Sequence, residues 1–257
     1  MRTLVVLPTY NEAESIEQVL RRTRLAVPDG SILVVDDGSP DGTADLAEKV
    51  GEELGSIEVM RRASPSGLGD AYKAGFAWGL AAGAEVLVEM DSDLSHDPGA
   101  LPSLLGAMVD HDLVIGSRYV EGGSIPQWAI HRRLLSRGGN VYSALMLGLR
   151  VRDMTSGFRV YRAELLQTMD LNAIRADGYA FQIEMTYRAA QQGARIVEVP
   201  IRFVDREAGT SKMSSAIVVE ALALVTWWGL GRALRRVAPA RAGARRKVAG
   251  QTAGPPA

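Results

Sequence analysis

The chain has 257 residues, of which 47% are hydrophobic and 23% charged, and its formal net charge is -1. This length suits one substantial domain with or without a small appendage, and the composition excludes a disordered or low-complexity chain. The absence of cysteine excludes disulfide frameworks, thiolate-bound zinc, iron–sulfur clusters and thiol nucleophiles, and it suits a reducing cytoplasm.

The charges are unevenly distributed along the chain. Seven of the 29 basic residues lie within 221–257, which contains no acid, so residues 1–220 carry 22 bases against all 30 acids. An acidic body with a cationic end predicts that the end meets an anionic surface, either a membrane or nucleic acid. The N-terminus has the pattern of a strand, so we expect no secretory signal peptide.

Short apolar runs alternate with helical stretches over the first 115 residues. The apolar runs predict five strands, at 3–7, 32–35, 57–60, 85–90 and 113–115. The stretches between them predict helices at about 12–26, 41–54, 67–82 and 98–110. Asn11 and Asp41 are candidate N-caps of the first two helices. This alternation is typical of an α/β domain with a parallel sheet covered by helices on both faces, where ligands bind beyond the carboxyl ends of the strands.

The pattern changes beyond residue 116. A basic, glycine-containing stretch at 116–139 is followed by predicted helices at 140–149 and 179–192, predicted strands at 155–161 and 196–203, and a polar loop at 205–212. A last helix is predicted at about 214–236, and 238–257 has the composition of a disordered tail.

The apolar stretch of the last helix is too short to cross a bilayer. Its apolar stretch between Glu220 and Arg232 spans about 17 Å, against a hydrocarbon core of about 30 Å. Trp227, Trp228 and the flanking arginines favour a helix lying in the headgroup layer, and the alternative is a core helix packed on the domain.

Acidic residues follow the second and fourth predicted strands. Asp91 and Asp93 follow the fourth, and two carboxylates one residue apart predict Mg²⁺ or Mn²⁺ with open positions for phosphate oxygens. The alternative is an acidic turn that caps the next helix. Asp37 follows the second strand, where it either bonds a base or ribose or belongs to an ordinary turn. Tyr10 and Glu12 follow the first strand and border the same edge, either as a base and ribose contact or as part of a helix cap.

Five basic residues lie on predicted loops downstream. Guanidinium groups bind phosphate with two donors, so these residues predict a site for one or more phosphates beside the metal. They are Arg118, Arg132, Arg133, Arg206 and Lys212.

Eight segments, in order from residue 4 to about 213, carry a family resemblance. They are LPTYNE at 7–12, VVDDGSPDGT at 34–43, GLGDAY at 67–72, EMDSDLSHDP at 89–98, GSRY at 116–119, TSGFRVYR at 155–162, GYAFQIEM at 178–185 and VPIRFVDREAGTSKM at 199–213. Through them the chain resembles the family-2 glycosyltransferases of the GT-A fold, and among these the dolichol/polyprenol-phosphate mannosyltransferases. The resemblance implies a Rossmann-like, mostly parallel sheet in a catalytic domain over 1–213, followed by an amphipathic interfacial helix over 214–237 and a disordered basic tail over 238–257.

The resemblance also implies an activity and its partners. The activity is the inverting transfer of mannose from GDP-mannose to a polyprenyl (dolichyl-type) phosphate, by an enzyme that depends on Mg²⁺ or Mn²⁺. The enzyme is expected at the cytoplasmic face of a membrane as a peripheral protein, with or without a separate membrane anchor protein.

Site residues follow from the resemblance position by position. The residues implied to hold the guanosine are Pro8, Tyr10, Glu12, Val35 and Asp37. Those implied to face the diphosphate are Met90, Asp91, Ser92 and Asp93. The implied metal ligands are Asp91, Asp93 and Ser95, the last at a position where the family often has Gln. The implied acceptor-phosphate site is Arg118, with Arg132 or Arg133, and Ser136. The resemblance places Arg206 and Lys212 on the loop that closes over donor and acceptor. It places Gln182 and Glu184 in contact with the sugar. The implied catalytic residues are Asp93, Arg118, Arg206 and Lys212.

Three other functions compete with this one. A sister enzyme would transfer glucose or another sugar from a UDP-sugar, and a catalytically silent subunit would only bind a nucleotide-sugar. A nucleic-acid binder rests on the basic tail alone, and the acidic body argues against it, so we expect no nucleic-acid partner.

Overall fold

The computed structural model describes residues 1–64, 67–205 and 215–237. Its strands are β1 (Thr3–Thr9), β2 (Ser31–Asp36), β3 (Ile57–Arg61), β4 (Val86–Glu89), β5 (Leu113–Ser117), β6 (Arg159–Arg162) and β7 (Ile196–Pro200). Its α-helices are α1 (Ile16–Ala26), α2 (Thr43–Leu54), α3 (Leu68–Ala81), α4 (Leu101–Gly106), α5 (Ile130–Leu147), α6 (Ala163–Thr168), α7 (Gly178–Gln191) and α8 (Ser215–Val237).

The strands form one sheet in the order β3-β2-β1-β4-β6-β5-β7. All neighbouring strands are parallel except β6, which runs antiparallel to both β4 and β5. The predicted α/β fold with a mostly parallel sheet is therefore confirmed. Because β6 is reversed, its amino end lies at the same edge of the sheet as the carboxyl ends of β4 and β5.

Alternating side chains of the strands pack into two apolar layers. On β1, Leu4 and Val6 face the layer that contains α3 and α7, whereas Val5 and Leu7 face the layer that contains α1 and α2. A strand buried on both faces has no polar positions, which explains the continuous apolar runs in the sequence. Helix α3 approaches the sheet closely at Gly75, where a Cβ atom would lie 2.4 Å from Cγ1 of Val6.

The first helix begins later than predicted. It starts at Ile16, and Ser15 occupies the N-cap position without a side-chain cap hydrogen bond. Asn11 does not cap the helix because its backbone is left-handed (φ 60°). Asp41 does bond the start of α2, since its Oδ1 accepts from the amide of Thr43 (3.1 Å).

The largest difference from the sequence expectation is α5, which begins at Ile130 rather than at 140. Ten of the 24 residues of the basic stretch at 116–139 are thus helical. Helix α8 packs against α5 and α7, with Val225 buried and the ring of Trp228 stacked on Tyr187. Its other side exposes Trp227 and Leu234, so α8 combines a packed face with an open apolar one. No helix within the described residues is long and apolar enough to cross a bilayer.

Candidate active site

The loops after β1, β2 and β4 are joined by short side-chain hydrogen bonds. Ser92 Oγ donates to the carbonyl of Pro8 (2.7 Å), and Ser15 Oγ donates to the carbonyl of Ser92 (2.8 Å). Asp36 Oδ1 accepts from Thr9 Oγ1 (2.9 Å). The three acidic strand ends thus meet at one edge, as their order in the sheet predicts.

Asp36 and Asp37 have different roles in the β2 loop. Asp36 is buried and accepts the amides of Gly38 and Ser39, so it holds the turn itself. Asp37 forms an ion pair with Arg62 (2.8 Å), a residue that the sequence pattern did not single out. The turn therefore positions Asp37, and a contact between Asp37 and a nucleotide stays a prediction.

Three of the residues predicted to bind the nucleotide-sugar donor have side chains that are buried or already hydrogen-bonded. Val35 and Met90 are fully buried in the apolar layers, so only their backbones can meet a nucleotide. Ser92 is 3% exposed and its hydroxyl is bonded to Pro8, which makes it a link between two loops. Tyr10 and Glu12 are half-buried beside these loops.

The Asp91–Asp93 turn lies against a buried histidine. The amide of Asp91 donates to His96 Nδ1 (3.2 Å), and Tyr72 donates its hydroxyl to Asp91 Oδ1 (3.1 Å). Burial lowers the pKa of His96 below 6.5, an effect that the nearby charges of Asp91 and Asp93 only partly oppose. His96 is therefore a neutral acceptor that shapes the turn.

The donor set of this turn fits a hard divalent cation. Asp91, Asp93 and Ser95 line one pocket. The Ser95 hydroxyl is buried, and no described residue forms a hydrogen bond with it. No group of three or more acidic, histidine or cysteine side chains forms a metal cage in the described ranges. Two carboxylates and a hydroxyl suit Mg²⁺ or Mn²⁺ that shares its remaining positions with phosphate oxygens, because such ions commonly rely on substrate phosphates as well as protein.

Arg118 lies at the centre of the site and is held by Asp153. Its Nε and Nη2 donate to the two carboxylate oxygens (2.8 and 2.7 Å), and its backbone amide donates to the same carboxylate (2.9 Å). Both side chains are buried. Burial raises the pKa of the Asp153 carboxyl, but the charge and hydrogen bonds of Arg118 outweigh burial and hold that pKa below its usual value. Sequence reasoning missed Asp153, whose only signal is its place two residues before TSGFR.

Arg132 and Arg133 are adjacent in sequence but point into different pockets. Arg132 stacks on Trp128 (4.0 Å to the ring centroid) and pairs with Asp205 (3.1 Å), in the same pocket as the acidic turn. Arg133 donates to the carbonyls of Ile125 and Trp128 and lines a separate pocket. Only Arg132 of the two lines the pocket of the acidic turn, since consecutive helical side chains diverge by about 100°, and its contact with an acceptor phosphate stays a prediction. Ser136 accepts from Tyr119 (2.7 Å) and lines the apolar pocket described next.

An apolar pocket opens directly behind these arginines, between α5, α7 and α8. It shares five residues with the acidic pocket, namely Arg118, Trp128, Arg132, Thr155 and Tyr179. Its other walls are mostly apolar or small and include Leu135, Gly139, Ile183 and Leu222. Leu135 and Leu222 are exposed, so the pocket leads from the arginines toward the protein surface.

Gln182 and Glu184 on α7 lie in different environments. Gln182 is buried and donates its side-chain amide to Glu89, and no described residue donates to its Oε1. Glu184 pairs with Arg188 (2.6 Å), which occupies its carboxylate. Protein groups thus engage both side chains, and a contact of Gln182 or Glu184 with the sugar stays a prediction. Arg206 and Lys212 lie outside the described residues.

Comparisons with known proteins point to one family. The model of glycosyl transferase family 2 matches residues 4–169. The undecaprenyl-phosphate mannosyltransferase of Micrococcus luteus is 54% identical over 230 residues, which cover 90% of this chain and 95% of that protein. The polyprenol monophosphomannose synthase of Mycolicibacterium smegmatis is 49% identical over 237 residues, which cover 91% of this chain and 89% of that protein.

Solved structures with the same fold are more distant. Glucosyl-3-phosphoglycerate synthase from Mycobacterium tuberculosis, crystallised with Mn²⁺ and UDP-glucose, has a TM-score of 0.64 at 22% identity and covers 90% of this chain and 78% of its own. Its complex that also contains phosphoglyceric acid has a TM-score of 0.66 at 22% identity, with coverage of 90% and 80%. At this identity the likeness concerns the fold alone.

Proposed function

The chain belongs to glycosyl transferase family 2, and from this premise we propose that it transfers mannose from GDP-mannose to a polyprenyl phosphate, with inversion at the anomeric carbon. The names of two relatives that are about half identical over most of their lengths support mannose as the sugar and a polyprenyl phosphate as the acceptor. The proposal that the nucleotide is GDP rests on the resemblance of the loops after β1 and β2 to those of the dolichol/polyprenol-phosphate mannosyltransferases.

The observation that carries the proposal is the continuity of the two pockets at Arg118 and Arg132. On one side lie the carboxylates of Asp91 and Asp93, and on the other lies the apolar pocket between α5 and α8. A phosphate bound at the two arginines would have the two carboxylates on one side and the walls of the apolar pocket on the other. This arrangement fits an acceptor whose charged head is joined to a hydrocarbon chain, and a water-soluble phosphate would leave the apolar walls unused.

The proposed chemistry requires no strong general base. The acceptor is a phosphate monoester that is already anionic at pH 7, so its oxygen attacks the anomeric carbon as the bond to GDP breaks, and no proton has to be removed. Attack on the face opposite GDP converts the α-linked donor into a β-linked product. Arg118, oriented by Asp153, and Arg132 bind and position the phosphate, while Gln182 offers an acceptor oxygen for a sugar hydroxyl.

Asp91, Asp93 and Ser95 are proposed to hold Mg²⁺ or Mn²⁺. When bound, the ion neutralises charge on the diphosphate. In the proposal, Arg206 and Lys212 complete the charge stabilisation from the loop that closes over the donor and acceptor. We further propose that the enzyme is peripheral on the cytoplasmic face of the membrane that contains its acceptor, with the open face of α8 toward the lipid.

The test is transfer of label from GDP-mannose to an organic-extractable product, with polyprenyl phosphate in detergent and with Mg²⁺, Mn²⁺ or a chelator. We expect label only with a divalent cation, and far less label from UDP-glucose. Turnover from UDP-glucose alone would favour the sister enzyme, and absence of turnover with either donor under all cations would favour a silent binding subunit.

A matched pair of variants tests the role of the apolar pocket. Gly139 lines the pocket, whereas Gly138 precedes it on α5 and is exposed, and a Cβ atom at either position meets no other atom within 4 Å. We expect Gly139→Leu to lower transfer to polyprenyl phosphate at least tenfold by filling the pocket, and Gly138→Leu to leave it unchanged. Equal activity of the two variants would contradict a hydrocarbon chain in this pocket.

A further inference from the structure

Helix α5 presents an apolar ridge to the outside of the molecule. Ile130, Leu134, Val141 and Leu145 are between 59% and 75% exposed, and their spacing places them on one stripe of the helix. The opposite side, which packs on the protein, contains Asn140, Ser143 and Leu147. The helix therefore exposes a continuous apolar stripe while it buries polar as well as apolar side chains, and an exposed apolar stripe of this kind marks a surface that contacts another apolar phase or molecule.

The same helix is strongly cationic. Its 18 residues include three arginines and no acid. Arg132 turns into the candidate active site, while Arg133 and Arg137 lie one turn apart on the other flank of the ridge and line the separate pocket. This pocket is called the flank pocket, and it is lined by Arg118, Tyr119, Val120, residues 123–126, Arg133 and Arg137.

The flank pocket has the properties of an anion site. None of the described residues that line it is acidic. The guanidinium of Arg137 lies 5.7 Å from the ring centroid of Tyr119, and within the described ranges neither Arg137 nor Arg133 forms an ion pair. Arg118, which also lines the flank pocket, is already paired with Asp153, so the charge offered to a ligand comes from the two arginines of α5.

We propose that the flank pocket binds the phosphate of an anionic phospholipid headgroup, with the α5 ridge inserted among the acyl chains of the same leaflet. The ridge and the two arginines are contiguous on one helix. Whatever binds this helix must therefore present an apolar phase next to an anionic group. A bilayer with anionic lipid offers both at that spacing, whereas nucleic acid offers no apolar surface to the ridge. This inference deepens the proposed membrane association and assigns its lipid preference to Arg133 and Arg137, which line a pocket that adjoins the candidate active site at Arg118.

Binding to vesicles without substrates tests the inference. The probes are vesicles of phosphatidylcholine alone and vesicles with about one third phosphatidylglycerol, with binding measured by flotation. We expect the protein to prefer the anionic vesicles and Arg137→Ala to weaken that binding about fivefold, the loss expected for one cation beside an anionic bilayer. Leu134→Ser with Leu145→Ser should weaken binding to both kinds of vesicle.

The matched control is Arg195→Ala, which removes the same charge at the start of β7, on the opposite edge of the sheet. It should bind vesicles like the parent protein, and inorganic phosphate at millimolar concentration should not release any of the proteins. Equal binding of Arg137→Ala and Arg195→Ala to the anionic vesicles would overturn the proposal. So would a dimer in solution that the two serine substitutions dissociate, because a second copy of the chain would then cover the ridge.

Transfer activity in detergent separates this inference from the proposed function. Arg137 lies outside the two pockets assigned to donor and acceptor, so Arg137→Ala should retain mannosyl transfer while its binding to anionic vesicles is weakened about fivefold. Loss of transfer with intact vesicle preference would instead show that the flank pocket serves the reaction and would refute its assignment to a separate lipid.

Discussion

Glu89 offers a quantitative test of the structure because it is a fully buried carboxyl at the end of β4. Its oxygens accept from the hydroxyl of Tyr161 (3.2 Å) and from the amide of Gln182. Burial raises the pKa of Glu89 from 4.5 to about 7, while the charge of Arg159 and the hydrogen bond from Gln182 oppose the rise. The folded protein therefore holds this proton at pH values where the unfolded chain has lost it.

The sign of the effect on stability follows from proton linkage. Between pH 4.5 and about 7 the native state binds more protons than the unfolded state, so the free energy of unfolding falls as the pH rises. The difference between the pKa values of Glu89 in the unfolded and the folded protein corresponds to about 3 kcal/mol of the free energy of unfolding. This contribution is lost in full above pH 7. Replacement by glutamine mimics the protonated carboxyl. The side-chain amide of the introduced glutamine can donate to Oε1 of Gln182 after the terminal amide group of Gln182 has flipped. The side-chain oxygen of the introduced glutamine can accept from the hydroxyl of Tyr161.

We therefore expect Glu89→Gln to stabilise the protein by up to about 3 kcal/mol at pH 8 and to change its stability little at pH 5. The measurement is urea unfolding of both proteins in chelator-containing buffer at half-unit steps between pH 5 and 8. Glu85→Gln is the control, because it removes an exposed carboxylate just before the same strand. Parallel stability curves for Glu89→Gln and the parent would refute the assignment of a raised pKa to Glu89.

Two further predictions concern the ion pair and the helix glycines. Asp153→Asn should destabilise the protein by about 3–5 kcal/mol in denaturant unfolding, because it leaves the buried charge of Arg118 uncompensated. The double replacement Arg118→Met with Asp153→Leu should recover most of that stability without transfer activity, and a double variant as unstable as Asp153→Asn would contradict this account. Gly75→Ala should cost about 1–3 kcal/mol through its clash with the sheet. Gly138→Ala, in open space within a helix, should gain about 0.5–1 kcal/mol, and a similar change in melting temperature for both would argue against the close approach of α3.

Much of the fold could be predicted because its signals are local. Buried parallel strands are continuous apolar runs, and the acidic residues after β2 and β4 meet at one edge whatever the details of packing. The start of α5 could not be predicted in this way. Its first ten residues contain three arginines and the pair Gly138 and Gly139, which resemble a loop, and their contacts are with residues distant in sequence, such as that of Arg132 with Asp205.

The error over α5 also affected the candidate site. On a loop, Arg132 and Arg133 could face the same phosphate, but on a helix they point into different pockets. The ion pair of Arg118 with Asp153 joins residues that lie 35 positions apart, and no pattern in the sequence indicates which acid Arg118 will meet. Interactions of this kind depend on the assembled sheet, so they become visible only in three dimensions.

The reversed strand β6 fixes the span of the site. Asp91 follows β4 and Arg118 follows β5, and β6 lies between the two with Gly157 just before it. Two strand spacings separate β4 from β5, which is about 9–10 Å. The spacing of the hydrogen-bonded strands thus sets the distance between the loop with the carboxylates and the loop with the arginine. Gly157 lies beside the acidic turn, since a Cβ atom built on it would be 3.6 Å from Asp91 Oδ1. The groups of opposite charge thus follow strands that are not neighbours, and the partner of Arg118 in the absence of substrate is Asp153 and not Asp91.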